Sequence, residues 1–403
     1  MHFHKTLLLI CILCCISCNN NSLLVSGLQS VNQDIQAQYA PDKRVAIYNI
    51  EIENINDKIV ATGKTNSQQG YQKLLDSLQS LDVDFSNKIR VLPDSAVGQK
   101  IFAIARNSVI NIRSKPKHSA ELGTQGLLGM PLKIYDKKGD FYRVQTPDHY
   151  ISWVDKGGIT RMTKEEFTAW NTSKKVMYTQ NFGYVYKDLK FKEIVSDITL
   201  GGVLILLQNE KEYYFVQFPD ERKGYIRKEE AMIYEAWLQS NSFYKDTEIS
   251  QTQKNIEHYA KEMLGFPYLW GGTSSKGMDC SGFTKMVYLM NGFIIPRDAS
   301  QQVLAGQIVD AALKFEGLEK GDLLFFGKKA TANKKQKVTH VGIWLGNAKM
   351  EFIHASGNVH LSSMDEKQPH YDAFNKNRYL GSRRYLGVDD QMIVKFSDTS
   401  ILY

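Results

Sequence analysis

The stretch Phe266-Pro267-Tyr268-Leu269-Trp270-Gly271-Gly272-Thr273-Ser274-Ser275-Lys276-Gly277-Met278-Asp279-Cys280-Ser281-Gly282-Phe283 decides how the chain is read. A glycine-rich, turn-prone approach runs into Asp279-Cys280, after which Phe283, Val287 and Met290 recur at helical spacing. Cys280 is therefore expected at a helix N-terminus. The free N–H groups and macrodipole there favour a thiolate, the nucleophilic form of cysteine. The plainer alternative is a small buried thiol.

The other cysteines narrow the choice. Cys11, Cys14, Cys15 and Cys18 crowd the apolar N-terminus and leave Cys280 alone in the rest of the chain, so no disulfide framework is available to it. A thiolate nucleophile needs a base. His340 lies in a strand-like run marked by Val338, Val341, Ile343 and Leu345, and His354 ends the next such run, Met350 to His354. A hairpin turning at Gly346-Asn347 would set the two histidines side by side, with His340 as the base and His354 fixing its tautomer.

These residues resemble the NlpC-type peptidases, papain-like cysteine hydrolases that cut bacterial cell-wall peptides. The motifs are Tyr268 to Gly272, Met278 to Phe283, Pro296-Arg297-Asp298, Gly321 to Phe326, Thr339 to Ile343 and Phe352 to Ser356, and the likeness spans roughly residues 250 to 388. The resemblance implies Cys280 as nucleophile, His340 as base and His354 as orienter. It also implies Tyr268, Asp279 and Ser281 as residues lining the substrate cleft.

A chain of 403 residues exceeds what one core usually fills, so several domains are expected. After a polar tether, Val45 to Glu53, Lys58 to Thr65, Gln72 to Leu81 and Asn87 to Leu92 read as a ββαβ unit. From Ile101 to about Met162 short strands alternate with turns, the pattern of a small barrel, and its phrases resemble bacterial SH3-like domains. Val176 to Met232 repeats the rhythm more loosely, and Thr163 to Trp170 reads as a linking helix capped by Thr163. The expected fold class is α+β: residues 1–26 a signal or lipoprotein segment with its tether, 27–98 a small ββαβ domain, 99–163 and 164–245 two SH3-like β-barrels, and 246–403 the papain-like catalytic domain.

Thr6 to Ser17 is an apolar run of signal-peptide length, too short to span a bilayer. Ile16-Ser17-Cys18 resembles the lipobox of bacterial lipoproteins, which would make Cys18 the lipidated residue; Cys15 stands where that pattern prefers Leu, so ordinary cleavage or an uncleaved anchor stay open. Export follows, with an expected place in the periplasm or cell envelope and a membrane link only through that lipid. The net charge of +7 is modest and lacks an aromatic-basic stripe, which argues against nucleic acid as a partner. No cofactor and no metal is implied, because Cys280 lacks a second thiol and the histidines lack ligand spacing.

SH3-like barrels joined to a catalytic domain carrying Asp-Cys-Ser resemble the γ-D-glutamyl-L-diamino acid endopeptidases. That resemblance implies murein peptides with a free L-Ala-γ-D-Glu end as substrates, cut before meso-diaminopimelate or Lys. Asp279 would pair with the free amine, Arg297 with a substrate carboxylate, and Tyr150 or Trp153 would wall off longer chains. Relatives carry an acidic residue near Met130 that helps hold the amine, and Met130 cannot. Two further readings are an endopeptidase on intact peptidoglycan and a wall-binding lipoprotein using its SH3-like modules.

Overall fold

The computed structural model describes residues 23–241 and 249–396. Cys18 and the rest of the proposed leader lie outside the described residues. The chain divides into two compact units, Met1–Gly98 and Gln99–Tyr403.

In the first unit, strands Tyr48–Ile55 and Lys58–Thr65 form an antiparallel hairpin, and Phe85–Val91 joins the second strand in parallel. Asn56 and Asp57 both take positive φ at the two-residue turn, the conformation this hairpin type requires. Helix Gln68–Ser80 makes the crossover; its N-cap Ser67 accepts from the Gly70 N–H and it buries Leu74 and Leu78. A further helix over 23–39 stands where a polar tether was expected. It buries Leu28 and Ile35 together with Asn32, whose side chain donates to the Ile50 carbonyl (2.8 Å) and accepts from the Tyr48 hydroxyl (2.9 Å). This satisfied polar residue on the inner face breaks the apolar stripe by which an amphipathic helix is recognised.

The second unit contains three larger sheets. Two of them have seven strands each and share one topology. In chain order, the strands of the first are Phe102–Ala105, Val109–Arg113, Leu122–Leu127, Pro131–Lys138, Phe141–Gln145, Ile151–Asp155 and Ile159–Met162; those of the second are Lys175–Tyr178, Phe182–Tyr186, Ile194–Thr199, Val203–Asn209, Tyr213–Gln217, Lys223–Arg227 and Ala231–Ile233. Both sheets place their seventh strand beside their first, then the fourth, fifth, sixth, second and third, and both have a short 3-10 turn before the last strand. The second barrel repeats the first. Helix Lys164–Thr172 links them, closed by a capping box between Thr163 and Glu166.

The third sheet has six antiparallel strands in the order Gln307–Val309, Tyr379–Arg384, Leu323–Lys328, Lys337–Trp344, Glu351–Ser356 and Asn358–Ser363. Helix Cys280–Leu289 packs on it and is buried at every position. Ile256, Phe325, Val341 and Ile353 of the catalytic region surround the helix, and Leu127, Met177 and Leu200 join them from the barrels. A helix enclosed on all sides has little freedom to shift, so its first residue is placed firmly. Gly306 takes φ +70° in a turn beyond the short helix Ala299–Gln302, where a Cβ would meet the Arg384 carbonyl oxygen.

A cavity of about 210 Å³ opens where the two barrels meet the C-terminal half of helix Cys280–Leu289. Its walls are mostly apolar, including Met130, Met177, Val203 and Leu289, and Cys280 is not among them.

Candidate active site

Asp279 caps helix Cys280–Leu289 by accepting from the Gly282 N–H at 2.7 Å, which makes Cys280 the first helical residue. Gly282 is required there, since a Cβ would lie 2.0 Å from the Gly272 carbonyl oxygen. Gly271 (φ +80°) is required because the Leu122 backbone of the first barrel comes just as close. The glycine-rich approach thus lets barrel and helix meet across one loop.

That contact is polar and buried. Gln125 receives hydrogen bonds from the Thr273 N–H (3.0 Å) and Ser274 hydroxyl (2.9 Å) at its side-chain oxygen, and the Thr273 hydroxyl bonds the Gln125 carbonyl at 3.0 Å. Trp270 Nε1 donates to Glu121 at 2.7 Å. Deeper in, Lys285 of the helix forms a buried ion pair with Asp148 of the barrel.

Cys280 is 7% exposed. Burial and the neighbouring Asp279 charge push its thiol up to about 12, against the pull of the Val341 and Ser281 N–H groups on the sulfur. This reverses the expectation that the helix N-terminus alone would favour a thiolate: desolvation outweighs the dipole.

Val341 follows His340 in strand Lys337–Trp344, so the N–H on the sulfur sets the histidine's strand against the nucleophile. Nε2 of His340 lies 2.7 Å from Nδ1 of His354, and Nε2 of His354 lies 3.0 Å from the Ser362 hydroxyl and 3.8 Å from an Asp372 carboxylate oxygen. For Nδ1 of His340 to accept a proton, its Nε2–H must donate to His354 Nδ1, and the Nε2–H of His354 must then donate to Ser362. The same partners also accommodate the reverse tautomers; the order that leaves Nδ1 of His340 free to accept is the one catalysis would use. Burial lowers His340 to about 3, helped by the Arg378 and His360 charges, and lowers His354 to about 2 for the same reason with His340 and His360 adding. Thiol and imidazoles therefore rest neutral at neutral pH.

The remaining expected site residues divide. Tyr268 lies near the sulfur; burial, then the Cys280 charge, raises its hydroxyl. Asp279 and Arg297 are already committed to each other. Arg297, 1% exposed, donates to both Asp279 oxygens at 3.0 and 2.7 Å, to Ser281 Oγ at 3.0 Å and to Thr124 Oγ1 at 3.1 Å. Asp279 also accepts from the Gly271 N–H at 2.9 Å. With its charge neutralised and its lone pairs taken, Asp279 is a structural anchor and cannot capture a free amine; Arg297 likewise has no free edge for a substrate carboxylate. Ser281 belongs to the same closed cluster. Tyr150 reaches the Arg297 side of the first barrel, whereas Trp153 pairs in register with Arg113 and Arg143 and lies under the Arg143 guanidinium.

Sequence reasoning missed Gln125, Ser362, Asp372 and Arg378 as site neighbours. The first lies in barrel sequence, Ser362 on a strand without a motif of its own, and the last two in a polar tail; only pairing brings them in. Asp322 caps the turn into strand Leu323–Lys328 by accepting from the Glu319 N–H (2.7 Å), and it also pairs with Arg384.

A cysteine at the start of a buried helix, packed against the strand of a histidine that is hydrogen-bonded to a second histidine on an antiparallel sheet, is the arrangement of a papain-like cysteine hydrolase. The sequence profile of the NlpC/P60 family matches residues 265–378, and that of the bacterial dipeptidyl-peptidase Sh3 domain matches residues 112–159. A gamma-D-glutamyl-L-lysine dipeptidyl-peptidase of Bacillus cereus is 31% identical over 277 residues, covering 66% of this chain and 76% of the relative. Dipeptidyl-peptidase 6 of Lysinibacillus sphaericus is 28% identical over 279 residues, 67% of this chain and 94% of that protein. The crystal structure of an NlpC/P60 family protein from Bacillus cereus superposes with a TM-score of 0.58 at 26% identity, covering 71% of this chain and 99% of that one. The chain belongs to the NlpC/P60 family of cysteine peptidases.

Proposed function

We propose that this peptidase hydrolyses the bond between γ-D-Glu and the following diamino acid in murein peptides that begin with a free L-Ala. The relatives' names support the bond, and the first barrel supports the short acyl side. Strand Leu122–Leu127 bonds the loop before the nucleophile through Gln125, and we read this contact as a seal on the acyl side of the substrate cleft. This seal carries the reading.

The reaction runs through Cys280, His340 and His354. As the sulfur attacks the γ-carbonyl carbon, the thiol proton passes to Nδ1 of His340, and the positive charge is shared along His354 toward Asp372. The Cys280 N–H at the start of helix Cys280–Leu289, with the helix dipole behind it, stabilises the oxyanion. His340 then protonates the amine of the diamino acid as the C–N bond breaks. Water, deprotonated by His340, cleaves the thioester and restores the thiol.

Because the proton moves during attack, a low-pKa imidazole is an advantage: it stays neutral, hence able to accept, well below pH 6.5. The acid limb of kcat/KM is expected below that value. Incubating the enzyme with L-Ala-γ-D-Glu-L-Lys, with the same peptide N-acetylated, and with purified sacculi tests the proposal. Release of the free dipeptide from the first alone, abolished in Cys280→Ala, is the expected result; equal release from sacculi would place the activity on intact wall instead.

For localisation, we propose export as a lipoprotein through Cys18. Incorporation of labelled palmitate, lost in Cys18→Ser, is expected.

A further inference from the structure

Arg378 stands at the end of helix Ala373–Asn377, beside the strand that carries the base. Its Nη2 donates to Thr339 Oγ1 at 3.1 Å, one residue before His340, and its guanidinium lies 4.7 Å from the Phe374 ring centre, which is 70% exposed. Among the described residues no carboxylate lies within ion-pair distance of it, and its Nε is buried without a hydrogen-bond partner. The nearest acid, Asp372, is turned toward His354 and the Asn375 N–H. The charge of Arg378 is nonetheless felt by Cys280 and His340. A half-buried guanidinium that is hydrogen-bonded to one hydroxyl and stacked on one ring keeps donors for a planar anion.

Its side of the groove follows from the reaction. On the reading above, the acyl half of a substrate lies toward Tyr268 and the first barrel, whose Glu121 and Gln125 bond Trp270 and Thr273 of the loop before Cys280. The leaving half must exit past His340, which protonates it, and Arg378 is on that side. We infer that Arg378 binds the terminal carboxylate of the diamino acid on the leaving side of the scissile bond. This rests on the murein-peptide reading above. It makes the enzyme selective for short peptides that end at the diamino acid.

The test compares wild type, Arg378→Ala and Arg378→Gln on three synthetic peptides: L-Ala-γ-D-Glu-L-Lys, its C-terminal amide, and the analogue with D-isoglutamine in place of D-Glu. In wild type the amide should be the poorer substrate. Both variants should lower kcat/KM on the acid by about ten- to hundredfold, chiefly through KM, and on the amide by less than about threefold. The amide arm doubles as a check that the variants fold. The isoglutamine peptide should lose as much as the parent. Equal losses on acid and amide, no loss on either, or an effect that vanishes only with isoglutamine would each overturn the assignment. If wild type cut none of the three, the substrate reading itself would fall, and this inference with it.

Discussion

The two barrels share one strand order but meet the nucleophile loop in different ways. The first offers buried polar groups: Gln125 bonds Thr273 and Ser274, Thr124 bonds Arg297, and Asp148 pairs with Lys285 at almost full burial. The second touches the same loop at its wet end, with Asp197 2.5 Å from Lys276 and the Asn181 carbonyl accepting from Ser275. Its outward face is aromatic: Phe182, Tyr184 and Tyr186 alternate along one strand, and Tyr225 sits opposite Tyr186. One topology thus serves as part of the active-site wall in one copy and as a buttress in the other, and what separates them is desolvation of the contact.

The largest expected effect is from breaking the first barrel's ion pair. Asp148→Ala leaves Lys285 buried and unpaired and should cost about 3–5 kcal/mol, read as a drop in the melting midpoint of the catalytic region. If the midpoint stayed put, the two interfaces would be energetically alike and the contrast would fail. Gln125→Ala strips several buried hydrogen bonds and should cost about 1–3 kcal/mol. It should also lower kcat/KM on the free tripeptide, since the loop bearing Cys280 loosens. In the second barrel, Lys276→Ala removes an ion pair that is 42% and 28% exposed and should cost less than about 1 kcal/mol, with unchanged turnover in a steady-state assay. Tyr225→Ala on the outward face should leave peptide hydrolysis unaltered.

Acid sharpens the same comparison. Burial raises the Asp148 carboxyl, but the Lys285 charge and the hydrogen bonds from Lys285 and Thr146 prevail and hold it below its ordinary value. A carboxyl depressed in the folded state stabilises fully above its unfolded pKa of about 3.9, and that stabilisation is lost as pH falls through the folded value. His340 and His354, also depressed, bind protons in the unfolded chain first, so they destabilise the fold as pH drops below about 6.5. Urea melts of wild type should therefore weaken from pH 7 to pH 5 through the histidines, and His354→Asn should flatten that slope. An unchanged slope would refute the neutral-pair account.

Local chemistry was legible before any fold was known. The helix start at Cys280, the Thr163 cap, the paired strands before and after residues 56–57 and the 340 to 354 spacing each depend on groups a few residues or one turn apart. Helix 23–39 was hidden because Asn32 is an inner residue satisfied by Tyr48 and Ile50 on strands well along the chain. The amine-binding role expected of Asp279 failed for a similar reason: Arg297 neutralises it, and Arg297 is itself fixed by Thr124 from a different domain.

From its residues alone the chain determined the helix that starts at Cys280 and the pairing of His340 with His354, the groups on which the proposed chemistry rests, since backbone hydrogen-bonding rules and short spacings settle those. Tertiary structure decided which charges remain available. Burial and pairing between segments far apart in sequence turned Asp279 and Arg297 into a closed pair, raised the Cys280 thiol, lowered both imidazoles and left Arg378 without a carboxylate partner among the described residues. Desolvation is a property of the whole packed assembly, and no local pattern of residues encodes it.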